Sequence, residues 1–388
     1  MGYNSPMMEV EDILPDPIWV DTPEALQALS RDLENQTIIA VDTESNSLHA
    51  YREQVCLIQF STPRQDYVLD PLALRDLSPL APIFASPAIE KIFHAAEYDL
   101  ICLKRDFNFC FENLFDTMHA GRILGREGVG LSSMIEAEFG IVLNKHYQRA
   151  DWGMRPLSPE MLAYARLDTH YLIALRDRLR AALQEKKRWE LAQEDFKRFC
   201  HAPCASHANG DNNDALWRFP GVQQLEPQQV AILQELCRYR EACARELNRP
   251  PFKVFSNQGL LEIAQVRPHY VEELRLLPSL SERQVRKYGR HLLEAVQRGR
   301  SLPPPRRPSP HMEDERVLAR MERLKEWRKM TGKQLGVESD VVLPKDILYT
   351  ISITDPQNLE QLSALMSQTP WRFQQYGPAI MKVLNKSA

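Results

Sequence analysis

Short apolar runs rich in β-branched residues recur through the first part of the chain. Their length is typical of strands, and we predict strands at residues 19–20, 38–41, 55–60, 67–69, 91–93 and 114–115. Residues 38–69 contain little helical pattern between the runs, which favours an antiparallel meander, whereas helical patterns follow the later strands. The sequence therefore predicts an α/β domain whose sheet is covered by helices.

Capping residues mark where several helices begin. Thr22 precedes Pro23 and Ser158 precedes Pro159. In both pairs a hydroxyl can cap the helix while proline takes the first helical position. Asp116, at the end of a predicted strand, is interpreted in the same way as the cap of a further helix.

Two acidic residues follow the apolar run 38–41. Asp42 and Glu44 are two residues apart, so on a strand their side chains point to the same face. Repulsion between like charges disfavours such a pair unless a cation or a proton intervenes, and carboxylate oxygens suit Mg²⁺ or Mn²⁺. Two solvated acids in a loop would give the same letters, so the pair alone leaves both interpretations open.

A later helix carries Tyr164 and Asp168, which are four residues apart and so share one helical face. Met161 and Leu172 flank that face at helical spacing, so it is predicted to look inward. An inward carboxylate beside a phenol needs a partner. Asp99 lies at the start of another predicted helix, where the helix dipole also favours an acid.

Together these residues resemble the DEDD superfamily of 3′→5′ exonucleases, in its tyrosine-bearing branch. The resemblance covers roughly residues 19–200, and the local sequence around the motifs is similar to that of the ribonuclease D family. The matching segments are Val41-Asp42-Thr43-Glu44, Leu57-Ile58-Gln59, His94-x4-Asp99, Asp151-Trp152, Arg155-Pro156-Leu157 and Tyr164-x3-Asp168. Several carboxylates and a tyrosine in this order are far more specific than any one of them.

The resemblance implies a ribonuclease H-like fold and a hydrolase that releases 5′-mononucleotides from RNA 3′ ends in tRNA maturation. It also implies two divalent ions, Mg²⁺ or Mn²⁺, with Tyr164 orienting the attacking water. The implied metal ligands are Asp42, Glu44, Asp99 and Asp168. A DNA exonuclease is an alternative, because no residue announces a contact to the 2′-hydroxyl of RNA. A non-catalytic RNA-binding scaffold is another.

Residues 216–388 contain an internal repeat with a constant offset of 88, which pairs Leu236 with Leu324 and Arg240 with Arg328. Helical periodicity dominates both copies and predicts two all-α bundles. Both copies resemble the HRDC domain, a nucleic-acid-binding module. The predicted organisation is an exonuclease domain at 1–200, a linker at 201–214, a first HRDC domain at 215–300, a Pro-rich linker at 301–314 and a second HRDC-like domain at 315–388.

Charge is divided unevenly along the chain. Residues 1–210 hold 21 Lys and Arg against 31 Asp and Glu, whereas residues 211–388 hold 27 against 21. Arg283, Arg286, Lys287 and Arg290 have helical spacing, and we predict that this basic face contacts RNA phosphates. A merely solvated helix face would give the same pattern.

Composition indicates the cellular compartment in which the protein is expected to act. No apolar run has the length needed to cross a bilayer, the chain does not start like a signal peptide, and the seven cysteines form no CxxC pair. We therefore expect a cytoplasmic protein that keeps its thiols reduced and does not act at a membrane. Its expected partner is RNA, above all tRNA precursors with 3′ extensions, and a monomer is favoured.

Overall fold

The computed structural model describes residues 16–202, 216–307 and 314–385. Residues 203–215 and 308–313, which hold most of the first predicted linker and part of the second, lie outside the described residues. The chain forms two compact units. One comprises Met1–Ser45, Val55–Cys204 and Met312–Ala388, and the other comprises Asn46–Gln54 and Ala205–His311.

A six-stranded mixed sheet forms the centre of the first unit, with strand order β1-β4-β3-β2-β5-β6. The strands are β1 (Ile18–Val20), β2 (Ile38–Ser45), β3 (Val55–Ser61), β4 (Asp66–Leu69), β5 (Glu90–Phe93) and β6 (Leu114–Asp116). The neighbours β2, β3 and β4 are antiparallel, whereas β1, β5 and β6 each join the sheet in parallel. The predicted α/β sheet with its meander is confirmed.

Helices cover this sheet, and their starts follow the predicted caps. The helices are α1 (Pro23–Glu34), α2 (Ala81–Ala85), α3 (Glu97–Phe107), α4 (Thr117–Leu124), α5 (Leu131–Phe139), α6 (Pro159–His170), α7 (Leu172–Glu185) and α8 (Trp189–His201). The Thr22 hydroxyl accepts the Ala25 N–H at 3.2 Å and the Ser158 hydroxyl accepts the Met161 N–H at 3.3 Å. Each cap satisfies a backbone donor that would otherwise lack a partner.

The two repeat copies are helical bundles with corresponding elements. The first contains α9 (Pro227–Glu246), α10 (Pro251–Val254), α11 (Asn257–Val266), α12 (Val271–Arg275) and α13 (Glu282–Ser301). The second contains α14 (Glu315–Leu335), α15 (Ser339–Val342), α16 (Lys345–Thr354), α17 (Leu359–Leu365) and α18 (Pro370–Leu384). Arg240 donates to the Phe255 carbonyl at 3.2 Å, and Arg328 makes the equivalent bond to Leu343 at 2.9 Å. The predicted pair of all-α bundles is confirmed.

The second unit joins the first repeat copy to the loop 46–54, which follows β2 in the chain. Tyr51 in this loop donates its hydroxyl to Glu241 and its backbone N–H to the Asn248 side chain. The Arg245 guanidinium lies 5.7 Å from the centre of the Tyr51 ring, a cation–π distance. The loop is therefore held by the surface of α9 and the residues that follow it.

The second repeat copy belongs to the first unit and packs on the α/β domain through a buried ionic cluster. Arg372 at the start of α18 is fully buried and donates to Glu194 at 2.6 Å and to Asp195 at 2.7 and 2.8 Å, both on α8. Val341 of α15 is part of the same apolar core as the sheet. No described helix combines the length and apolar character needed to span a bilayer.

Candidate active site

The acidic pair lies on the part of β2 that one neighbouring strand leaves uncovered. β5 pairs with β2 only as far as Ala40, whereas β3 pairs with it through Ser45. One edge of β2 is therefore free of strand pairing at Asp42 and Glu44. The carboxyl ends of parallel strands at such a change in strand order commonly form ligand sites in α/β folds.

A hydrogen-bonded turn aims Asp99 at this free edge. Ala95 takes a left-handed backbone conformation with φ of 64°, and the Asp116 carboxylate accepts the N–H groups of Ala95 at 3.3 Å and Ala96 at 2.7 Å. The same carboxylate caps α4 by accepting the His119 N–H at 2.8 Å. α3 thus begins beside β2, and Asp99 in its first turn accepts a hydrogen bond from the Thr43 hydroxyl.

Tyr164 and Asp168 reach the site from α6, which packs on β2 and β3. Tyr164 is buried in a cluster with Leu57, Val68 and Trp152. Its ring centre lies 6.0 Å from that of Trp152, and the Gln148 side chain hydrogen-bonds to its phenol. The predicted inward face of this helix is therefore present.

Burial raises the pKa values of all four acids. Burial is the largest cause in each case and repulsion by neighbouring carboxylates adds to it for Asp42, Glu44 and Asp168, so these pKa values lie above the ordinary range. The pKa rises to about 9 for Glu44 and to about 7 for Asp168. Burial likewise raises the pKa of Asp99 to about 7, although the Thr43 hydroxyl opposes the rise.

Burial also raises the pKa of Tyr164, and the charges of Asp168, Glu44 and Asp42 raise it further. The phenol therefore keeps its proton at neutral pH and can donate a hydrogen bond. It cannot act as a general base there, because a general base must be partly deprotonated near the working pH.

The chemistry of the donor set fits a hard divalent cation. All four side chains offer carboxylate oxygens, and a cation would offset both the burial and the repulsion that raise their pKa values. Within residues 16–202, 216–307 and 314–385, however, no three His, Cys, Asp or Glu side chains are placed to share one ion. Asp99 is held by Thr43 instead, so side chains must turn toward one another before they can share an ion.

The predicted basic face is on α13, which belongs to the second unit. Arg283, Arg286, Lys287 and Arg290 are all exposed. Arg290 pairs with Glu294 at 3.2 Å, and the Lys287 ammonium lies 4.8 Å from the centre of the Tyr288 ring. The helical face is present, and its contact with RNA stays a prediction.

Three residues around the acids escaped the sequence analysis as parts of the site. Thr43 stands between the two acids on β2, so a hydroxyl at that position was a readable signal. Asp116 is predicted from the sequence as a helix cap, whereas its hydrogen bonds to the turn at Ala95 depend on the fold. Gln148 carries no signal in the sequence, because only the fold brings it to Tyr164.

Comparison with known proteins identifies the class. Residues 17–184 match the family model described as 3′-5′ exonuclease, and residues 229–296 and 317–384 each match the HRDC domain. The catalytic core of RRP6 from Trypanosoma brucei is 33% identical, with a TM-score of 0.64 over 74% of this chain and 80% of that one. Escherichia coli RNase D is 25% identical, with a TM-score of 0.69 over 95% and 99% of the two chains.

The curated relatives also include RRP6 proteins and ribonuclease D. The exosome complex exonuclease RRP6 of Saccharomyces cerevisiae is 33% identical over 69% of this chain. Ribonuclease D of Pseudomonas paraeruginosa is 29% identical over 96% of this chain and 99% of its own length. The chain spans only 31% to 42% of the yeast RRP6 and the Arabidopsis thaliana RRP6-like proteins that it matches. This chain belongs to the ribonuclease D-like 3′-5′ exonucleases, a family of hydrolases, and carries two HRDC domains.

Proposed function

We propose that this protein is a metal-dependent 3′→5′ exoribonuclease that releases 5′-mononucleotides from RNA 3′ ends, including those of tRNA precursors. The observation that carries the proposal is the set of Asp42, Glu44, Asp99 and Asp168, whose pKa values are raised together beside Tyr164. Clustered carboxylates with raised pKa values are typical of functional sites, and a cation is one means of holding such carboxylates together.

The four acids would hold a pair of divalent ions, Mg²⁺ or Mn²⁺. Such a pair supplies an activated water, polarises the scissile phosphate and stabilises the leaving oxygen. The chain's own contribution is to keep the carboxylates in place. Thr43 and the turn at Ala95, which is bonded to Asp116, fix the start of α3. Strand β2 presents Asp42 and Glu44 on one face.

Tyr164 would orient the attacking water. Its pKa lies above the ordinary value, so the hydroxyl stays protonated and donates a hydrogen bond. Its ring is held between Trp152 and Tyr147, at centre distances of 6.0 and 5.9 Å, which fixes the direction of the hydroxyl. Positioning of this kind lowers a barrier because the geometry is set before the reaction begins.

The relatives' names support RNA as the substrate. The Escherichia coli structure is that of an exoribonuclease involved in structured RNA processing, and the yeast relative is an exosome exonuclease. The exposed basic face of α13, on an HRDC domain, supports contacts to phosphates. Among the described residues, Cys110, Cys200, Cys237 and Cys243 form no disulfide, which supports work in a reducing compartment such as the cytoplasm.

Matched RNA and DNA oligonucleotides labelled at the 5′ end test the proposal. We expect the RNA to shorten progressively from its 3′ end, EDTA to stop the reaction and added Mg²⁺ or Mn²⁺ to restore it. A circular RNA of the same sequence, which has no end, should stay intact. Faster loss of DNA would favour a DNA exonuclease, and binding without hydrolysis in either metal would favour a scaffold.

Precursor tRNAs address the finer part of the proposal. A panel with 3′ extensions of different lengths should be trimmed toward the mature end, faster than unstructured RNA of equal length. Equal rates on every RNA would support a general exoribonuclease and contradict the assignment to tRNA maturation.

A further inference from the structure

Gln59 is a buried polar residue at the centre of the sheet. It lies on β3, where its side chain is fully buried, with 0% of its surface exposed. Neither its amide nitrogen nor its carbonyl oxygen has a hydrogen-bond partner among the described residues. Buried amides without partners are rare because their desolvation is not compensated, so each asks for an explanation.

The register of the sheet places Gln59 beside the acids. Gln59 is paired directly with Asp42 across β2 and β3. In an antiparallel pair, residues directly opposite one another share a face, with Cβ atoms about 4.5–5.5 Å apart. The Gln59 side chain therefore projects on the same face of the sheet as the Asp42 carboxylate.

Helix α6 covers this face on both sides of Gln59. Two positions before it, Leu57 packs in one cluster with Tyr164. Two positions after it, the Ser61 hydroxyl bonds to the Thr169 hydroxyl at 2.8 Å. The stretch of α6 that lies over Gln59 is thus the stretch that carries Asp168.

We propose that Gln59 is a positioning residue for the carboxylate cluster. Its amide N–H₂ group is placed to donate to an oxygen of Asp42 or Asp168 once those side chains turn to hold a cation. This proposal rests on the proposed function. Metal binding by the carboxylates would explain why a polar side chain occupies a position where an apolar one would fit the core better. Partners that orient metal ligands contribute strongly to metal affinity although they never touch the ion.

Replacing Gln59 by methionine separates positioning from packing. Gln59→Met keeps the length of the side chain and removes both unpaired polar atoms. If the amide only fills space, the change should leave the melting temperature equal or higher and leave metal affinity unchanged. If the amide orients the ligands, affinity for Mn²⁺ should fall by about 10- to 100-fold while the melting temperature is maintained.

Metal binding is measured without substrate, by calorimetry and by electron paramagnetic resonance of Mn²⁺, on the full chain. Gln229→Met is the matched control, because Gln229 is also buried but caps α9 in the second unit. That variant should lose thermal stability and keep its metal affinity. Gln59→Leu provides a second apolar variant should the methionine variant fail to fold.

The outcomes are distinguishable. If the wild type binds no divalent ion, the proposed function fails, and so does the inference that depends on it. If the wild type binds Mn²⁺ and the folded Gln59 variant binds it equally well, the proposed function stands and the positioning role is overturned. In the supporting case, the Gln59 side-chain amide resonances of ¹⁵N-labelled wild type should shift on addition of Mg²⁺, and these resonances should be missing from Gln59→Met.

Discussion

At the scale of single residues, the candidate site is a set of carboxylates held in ionisation states that they would not adopt alone. Glu44 has a pKa of about 9, and Asp99 and Asp168 have pKa values of about 7. In the absence of a cation Glu44 stays protonated near neutral pH, whereas Asp99 and Asp168 are partly protonated there. The residues that surround them, such as Thr43, act on both the position and the charge of the acids.

Asp42→Asn removes one negative ligand and keeps the shape of the side chain. We expect turnover to fall at least 100-fold, because bound metal ions lower the activation barrier by several kcal/mol. Each step of about 1.4 kcal/mol in the barrier changes the rate tenfold. In EDTA the variant should be at least as stable as the wild type, since it loses a carboxylate that its neighbours repel. Retention of more than about a tenth of the wild-type turnover would contradict the metal assignment.

Tyr164→Phe tests whether the hydroxyl positions water without holding metal. Turnover should fall by about 100-fold, the scale on which one aligned hydrogen-bond donor acts. The affinity for Mn²⁺, measured by calorimetry without substrate, should be nearly unchanged. A variant that needs much more metal to saturate would show that the phenol acts on the metal site itself.

Raised carboxyl pKa values make the metal-free protein less stable as pH rises. The unfolded chain loses these protons near pH 4, whereas folded Glu44 keeps its proton up to about pH 9. Between these values the folded state binds more protons, so the free energy of unfolding falls as pH increases. Asp99 and Asp168 act in the same direction up to about pH 7.

Melting temperatures in EDTA from pH 5 to pH 9 check this dependence. The difference between the wild type and Glu44→Gln isolates the contribution of Glu44 from that of other titrating groups. The variant should gain stability relative to the wild type as pH rises, and Mg²⁺ should shrink the difference. A difference independent of pH would mean that Glu44 ionises normally in the folded protein.

At the scale of elements, local sequence decided where strands and helices begin. The predicted strands at 38–41 and 55–60 lie within β2 and β3, and the hydroxyls of Thr22 and Ser158 do cap α1 and α6. These features depend on residues adjacent in the chain, so they were readable. The left-handed turn at Ala95 was not, because it depends on hydrogen bonds to Asp116.

The basic face of α13 is an element-scale prediction that depends on charge. Changing Arg283, Arg286, Lys287 and Arg290 together to Gln should weaken binding to single-stranded RNA. The slope of log K against log salt should become shallower by roughly 3, since each phosphate contact on a single strand contributes about 0.7. All four side chains are exposed, so folding should survive.

A charge-preserving control accompanies the neutralised helix. Changing the three arginines of this face to Lys retains the charge and should leave the salt slope unchanged. Equal slopes for the wild type and the neutralised protein would show that the face is only solvated.

At the scale of the whole molecule, the division into compact units differs from the order of domains along the chain. The second HRDC copy clusters with the exonuclease domain, whereas the loop 46–54, next in the chain to β2, clusters with the first copy. Sequence could not reveal this, because each association depends on a few side chains distant in sequence. Tyr51 and Arg372 have no distinguishing pattern around them.

The two repeat copies differ at the position from which the second copy contacts α8. At the offset of 88, Arg372 corresponds to Gln284, whose amide donates to the Val254 carbonyl at 2.8 Å. Arg372 makes the equivalent bond to Val342 at 3.2 Å, and its longer guanidinium also reaches Glu194. One copy therefore ends its hydrogen bonds within the bundle, and the other extends them to α8.

Arg372→Met tests whether this contact stabilises the exonuclease domain. Burial alone would raise the pKa of Asp195, yet hydrogen bonds from His119 and Arg372 hold it below its usual range. Loss of the guanidinium would leave Asp195 and Glu194 as buried acids without their main cation, which typically costs about 3–5 kcal/mol. We expect the urea concentration at the unfolding midpoint of the exonuclease domain to fall accordingly. Unfolding is monitored by the fluorescence of Trp189 on α8 and by loss of nuclease activity.

Lys382→Met on the same helix provides the control, because Lys382 is exposed and its loss should change the free energy of unfolding by no more than about 0.5 kcal/mol.

A chain that ends after residue 307 should resemble Arg372→Met, since it lacks the same guanidinium and also uncovers the apolar core around Val341. The Arg372→Met protein should recover stability when Glu194 and Asp195 are both neutralised to Gln and Asn, because the uncompensated charges are then gone. Unfolding curves that coincide for the wild type and Arg372→Met would mean that the second HRDC copy rests on the exonuclease domain without stabilising it.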